Sequence, residues 1–229
     1  MIIEKTNNML NQNFLEKIVL ESSQLKAVSS PCNGVERILL ERNEDTEYAV
    51  STTIVEFKPN SSFDEHVHDF GEEVLVLDGT FSDENGDYPA GTYIRNPHNT
   101  KHSPFSKKGC KLLVKLRQFN PMDNKKIIIN TNNQQWIPGL VQGLKVMPLH
   151  NYEYENTALV KWDPNTKFSF HQHHGGEEIF VIKGTFYDEY GKYPKHTWIR
   201  SPHMSKHKPF TLKDGALIFV KTGHLLNKV

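Results

Sequence analysis

His66 and His68 stand two positions apart, with Glu72 four residues further on. In an extended strand, period-two alternation puts both imidazoles on one face while Val67 faces away. Gly71 can bend the backbone before Glu72, which then shares a strand face with Val74 and Val76. Imidazole nitrogen and carboxylate oxygen are the donors of a first-row metal site, and His102, in the polar stretch NPHNTKHSPF, supplies a third imidazole.

The same set recurs: His171, His173, Glu177 and His207 lie 105 positions later (171 − 66 = 207 − 102 = 105). Glu72 to Pro89 and Glu177 to Pro194 share eleven of eighteen residues, including GTF, DE and YP. His98 and His203 keep the same offset, so eight of the 12 histidines form four register-matched pairs. Repetition at this period marks two copies of one structural unit.

Length agrees, since 229 residues divide into two domains of a little over 100. Lys17 to Leu40 aligns without gaps on Lys126 to Leu149, and this places the boundary near Asn124. The expected domains are 1–124, with a loosely held tail over 1–16, and 125–229. A polar loop, ERNEDTEYA, accounts for a four-residue change of offset between the copies. With 27 basic and 27 acidic residues there is no electrostatic footprint for nucleic acid or an anionic membrane, and neither partner is expected. The amino terminus lacks the apolar segment of a secretory signal, which makes a cytoplasmic location the expectation. Cys32 and Cys110 form no paired motif and read as free, buried or partly buried thiols.

The elements that must position the eight ligands are short strands. TTIVEFKP and TALVKWDP end at Pro59 and Pro164, EEVLVLDGTF and EEIFVIKGTF follow the histidine strands, and CKLLVKL and ALIFVKT close the units. Regular spacing, Gly and Pro punctuation and the lack of a helical stripe predict an all-β chain of closed or sandwiched domains with little helix.

The motif H-x-H-x3-E-x6-G at His66, His68, Glu72 and Gly79, repeated at His171, His173, Glu177 and Gly184, resembles the first signature of the cupin superfamily. The stretch GDYPAGTYIRNPHNTKHSPFSKKGCKLLVKLRQ resembles more narrowly the cupin domain of the ChrR family, and the likeness spans roughly residues 17 to 224. It implies two tandem antiparallel β-barrels of the double-stranded β-helix type, a bicupin. It also implies two divalent transition metals per chain, zinc or iron, with manganese or nickel as further options. Where P-x-G is expected, the second repeat has Pro194-Lys195-His196, so that turn must accept a histidine. The helical zinc domain through which ChrR binds a sigma factor has no counterpart here, so that partner is not expected. A small-molecule ligand or substrate is, and a homodimer is compatible.

Function stays open between two classes. Three imidazoles and one carboxylate leave coordination positions for substrate, and cupins with this ligand set suggest an oxygen-dependent dioxygenase acting on a small diketone or phenol. The alternative is a non-catalytic zinc or small-ligand sensor, or a zinc that only staples the barrel.

Several neighbours of the ligands have two readings each. His98 and His203 could orient a ligand or lie in solvent, and His174 reads as an exposed imidazole. Glu73 and Glu178 fall on the strand face opposite the site, where Arg95, Arg200 or a lysine would pair with them. Phe63, Phe105, Phe168, Phe170 and Phe210 are either pocket wall or core. Finally, Phe70 stands where the second repeat has Gly175. A phenyl ring beside the first glutamate predicts that the second site is the more open, with Phe168, Phe170 and Trp198 as its walls.

Overall fold

A computed structural model describes residues 9–44 and 48–226. Among the described residues there is no α-helix, only strands and two short 3-10 turns. Part of the loop ERNEDTEYA, residues 45–47, lies outside the described residues, as do residues 1–8 of the expected tail. From Leu10 onward the tail is anchored. Leu10 exchanges two backbone hydrogen bonds with Arg42, and Asn11 Nδ2 donates to Leu40 O at 2.6 Å.

Two compact units emerge. In the first, the main antiparallel sheet runs in the order Ile127–Asn130, Thr92–Asn96, Glu72–Asp83, Cys110–Leu116, Ser51–Phe57, Val35–Arg42 and Val28–Ser29. The far half of Glu72–Asp83 leaves this sheet to pair with Gly86–Pro89 and Phe105. A bulge at Leu77 lets one strand serve both pairings, because an extra residue bends the strand and strengthens its twist. In the second unit Glu177–Asp188 does the same, with its bulge between Val181 and Lys183. Alternating side chains then fill each interior. Val55, Phe57, Val74, Val76, Phe81 and Leu112 pack in the first, and Trp162, Ile179, Val181, Phe186, Ile199 and Ile218 in the second.

The spatial units differ from the sequence boundary near Asn124 in one respect. Ile18–Glu21 adds to the second unit, pairing with Thr197–Ser201, and Ile127–Asn130 adds to the first, pairing with Thr92–Asn96. The segment expected to open each repeat thus supplies an edge strand of the other unit. Both segments carry similar apolar strand sequences, IVLE and IIIN, and repetition alone cannot say which edge each one covers.

Tight corners occur where the motif requires them. Gly79 and Gly184 sit at φ +70 and +74, and a Cβ there would lie 2.1 and 2.2 Å from the carbonyls of Gly109 and Gly215. At the second P-x-G position His196 adopts φ 70, a left-handed conformation that a glycine would take without strain. Its ring stacks on Phe180 at 6.1 Å.

Candidate metal centres

His66–Val67 pairs with Lys101–His102, and this register places His66 directly opposite His102. The second unit repeats the device, with His171 opposite His207 in the pairing of His171–His173 with Ser205–His207. Cross-strand partners on one face lie close enough for side-chain contact. The rings of His66, His68 and His102 accordingly gather within 4.6 to 5.2 Å of one another, centroid to centroid. Glu72, at the start of the long strand, brings Oε2 to 3.3 Å from His68 Nε2 and 3.6 Å from His102 Nε2.

The donor atoms of His66, His68, Glu72 and His102 all lie within 4.8 Å of each other. In the second unit His171, His173 and His207 meet the same measure. Glu177 completes that group, with Oε2 3.5 and 3.6 Å from the Nε2 atoms of His173 and His207, which are themselves 3.0 Å apart. The first four residues singled out by spacing thus meet as one set, and in the second unit three histidines meet, with Glu177 beside two of them.

Three observations fit these sets to a divalent metal. His68 Nε2, His102 Nε2 and Glu177 Oε2 are buried without a hydrogen-bond partner, which is costly unless a cation takes the lone pairs. The Nδ1 atoms are committed elsewhere. His66 Nδ1 faces Asp64 O at 3.0 Å, and His102 Nδ1 faces Asp83 Oδ2 at 3.4 Å. His68 Nδ1 faces Thr100 Oγ1 at 2.8 Å, and since that hydroxyl donates to Pro97 O, it accepts from the imidazole. Each ring is thus held as the Nδ1–H tautomer with Nε2 free to coordinate. Burial also pushes His68 down to about 4 and His173 to about 3, and lowers His171, which favours the neutral form of these three, the form that binds metal.

The two carboxylates differ. Burial pushes Glu72 up, but His68, His102 and a hydrogen bond from Asn96 Nδ2 (2.9 Å) outweigh it, and its carboxyl lies below the usual range. Burial raises Glu177 to about 7. Ser201 occupies the position equivalent to Asn96, so no carboxamide braces Glu177 from there. A bound dication would offset the burial cost at both.

The neighbours resolve as follows. His98 and His203 accept backbone N–H groups, from Phe70 at 3.1 Å and Gly175 at 2.9 Å, and so brace the turn that leads to each glutamate. His174 is exposed. Glu73 accepts from the Tyr93 hydroxyl at 2.5 Å and Glu178 from the Trp198 indole at 2.8 Å, while Arg95 meets Asp123 at 2.8 Å. Asp83 and Asp188, which face the third histidine of each set, carry a role that spacing did not assign; their signal is the DE identity shared by the repeats.

Access to the two centres is the reverse of the expectation drawn from Phe70. That residue takes φ 56, is 52% exposed and stacks on His98 at 5.6 Å, turned away from the ligands. A cavity of about 500 Å³ reaches the first centre instead, touching His66, His68 and Glu72 between walls that include Val55, Phe57, Phe63 and Leu112. In the second unit Trp162 replaces Phe57 and packs on Phe186 at 5.3 Å, while Phe168 lies 4.9 Å from His171, against 6.2 Å between Phe63 and His66. Bulk inside the barrel, rather than beside the glutamate, differs between the sites. Of the expected second-site walls, Phe170 is exposed and Trp198 is buried against Glu178.

An antiparallel barrel that gathers two histidines from one short strand, a third from its partner and a glutamate from the long strand defines a cupin, and this chain contains two. It belongs to the ChrR Cupin-like domain family, whose sequence profile matches residues 15–120 and again 124–226. Among solved structures it is similar to a protein of Nostoc punctiforme PCC 73102 described as a candidate dioxygenase. The TM-score is 0.77 at 14% identity, covering 93% of this chain and 85% of that one. It is similar also to the Escherichia coli pirin YhhW in complex with nickel(II) (TM-score 0.63, 14% identity, 90% and 99% covered). A variant of Bacillus subtilis oxalate decarboxylase OxdC gives 0.62 at 12% identity, with 90% and 77% covered. At such identities the likeness shows the fold alone. A search of curated protein sequences finds no match. Among the described residues no helix is long and apolar enough to cross a membrane.

Proposed function

We propose that the chain is a metal-dependent cupin whose first barrel is the working site, an oxygen-dependent dioxygenase acting on a small diketone or phenol. The observation that carries this reading is the cavity of about 500 Å³, large enough for a small molecule, that ends on His66, His68 and Glu72. The structural likeness to a candidate dioxygenase is compatible with it.

His66, His68, His102 and Glu72 would hold the metal, which supplies Lewis acidity and a binding place for oxygen. The chain's own residues do the rest. Thr100 and Asp83 fix the imidazole tautomers. Val55, Phe57, Phe63 and Leu112 keep water from the reacting atoms and hold the substrate's oxygens toward the ligand cluster. For a 1,3-diketone the overall change balances without an external reductant: one carbon–carbon bond breaks, both atoms of O2 enter the products, and a carboxylic acid and a 2-oxoaldehyde result. The second centre, walled by Trp162 and Phe168, serves in this reading as a metal staple of its barrel.

Oxygen uptake by iron(II)-loaded protein, supplied with acetylacetone and with catechol, tests the proposal. Uptake stoichiometric with substrate loss, abolished in His68→Ala, supports it. Tightly held zinc with no uptake in the iron-loaded form favours the non-catalytic sensor.

A further inference from the structure

The two sets of ligands match residue for residue, but the groups that hold them do not. Asn96 stands opposite Glu72 across its strand pair, and Asn96 Nδ2 donates to Glu72 Oε2 at 2.9 Å. Ser201 stands opposite Glu177 in the second barrel, where Glu177 Oε2 is buried without a hydrogen-bond partner.

The second histidine of each set differs in the same direction. Thr100 Oγ1 lies 2.8 Å from His68 Nδ1 and donates to Pro97 O at 2.6 Å, so one hydroxyl fixes both its own rotamer and the ring. Ser205 lies 105 positions after Thr100, directly opposite His173, and makes the same backbone bond, to Pro202 O. Its Oγ, however, is buried with no hydrogen-bond partner. The branched Cβ of threonine restricts χ1, whereas a serine hydroxyl is free to turn away from the ring.

The remaining histidines do not separate the barrels. His66 and His171 face the carbonyls of Asp64 and Ser169 at 3.0 and 2.9 Å, and Asp83 and Asp188 stand at the same 3.4 Å from His102 and His207. The difference is therefore confined to two positions, Asn96 against Ser201 and Thr100 against Ser205.

We propose that Asn96 and Thr100 are positioning residues that make the first centre the tighter of the two, so that the chain takes up metal in order, first barrel before second. The proposal rests on both sets binding metal and not on the reaction assigned to the first. In the second barrel Glu177 and His173 must be ordered when the ion binds, and that ordering subtracts from affinity. Loss of one such partner usually costs 10- to 100-fold in metal affinity, so the two centres should differ by about tenfold or more. At limiting metal the chain then carries its ion where the cavity is, and the second barrel fills only when metal is abundant.

Single-centre proteins test the order: His173→Ala keeps the first set and His68→Ala the second. Cobalt(II), titrated onto each in competition with a chelating dye, should bind the first about tenfold tighter or more. Ser201→Asn with Ser205→Thr, added to His68→Ala, should raise the affinity of the second centre by a similar factor, a gain that packing alone does not produce. Asn96→Ser with Thr100→Ser, added to His173→Ala, should lower that of the first. Circular dichroism checks folding, and if one of these combined variants does not fold, the other and the comparison of single-centre proteins decide. Equal affinities, or a tighter second centre, overturn the order of filling. An order that persists with no change in the folded combined variants overturns the assignment to Asn96 and Thr100. If neither single-centre protein binds cobalt, the proposal falls together with the metal reading.

Discussion

Asp83 Oδ2 lies 3.4 Å from Nδ1 of His102, and Asp188 stands at the same 3.4 Å from His207. The carboxylate fixes the tautomer of the third histidine and leaves Nε2 for the metal. Asp188 is held in turn by Lys17 and Tyr193, at 2.9 and 2.7 Å. Those bonds and the one from His207 overcome the upward push of burial and keep its carboxyl well below the usual range.

Asp83→Asn should therefore weaken metal binding at the first centre by about 10- to 100-fold, the usual cost of losing such a partner. The second centre should be unaffected. Competition against a chelating dye reads both affinities; equal affinity in the variant would reduce Asp83 to packing.

Gly79→Ala should destabilise the protein by about 2–4 kcal/mol, from the left-handed backbone and from the methyl group's collision with Gly109 O. Gly184→Ala should cost a similar amount for the same reason. Chemical denaturation measures both, and an unchanged midpoint for either would contradict the close approach of these strands.

The ligands were legible because they repeat in register on strands whose alternation is itself visible. The DE pair repeats too, yet an acid in a turn has many uses, and only the fold brings Asp83 to His102. Which sheet edge each opening strand covers was not legible, because IVLE and IIIN present similar apolar patterns to either edge. At Phe70 the left-handed backbone sends the ring outward, a turn geometry that its sequence position does not specify.

Cys110 is buried and Cys32 half-buried, and both are free. Burial pushes the Cys110 thiol up to about 11, against a modest pull from Ser106. Near pH 8 the thiolate is scarce and the sulfur is covered. A disulfide-forming chromogenic reagent should label Cys32 in the native protein and reach Cys110 only in denaturant. Rapid native labelling of Cys110 would show that its strand opens readily.

Two independent centres, each built from three histidines and a glutamate of one repeat, are the core of this account. The most direct measurement is metal content by elemental analysis, on protein reconstituted with cobalt(II) or zinc and freed of excess ion. Wild type should carry two ions per chain, and His68→Ala and His173→Ala one each, because His68 meets Glu72 and His102 while His173 meets Glu177 and His207. One ion or fewer in the wild type, or loss of both from a single folded variant, would contradict it.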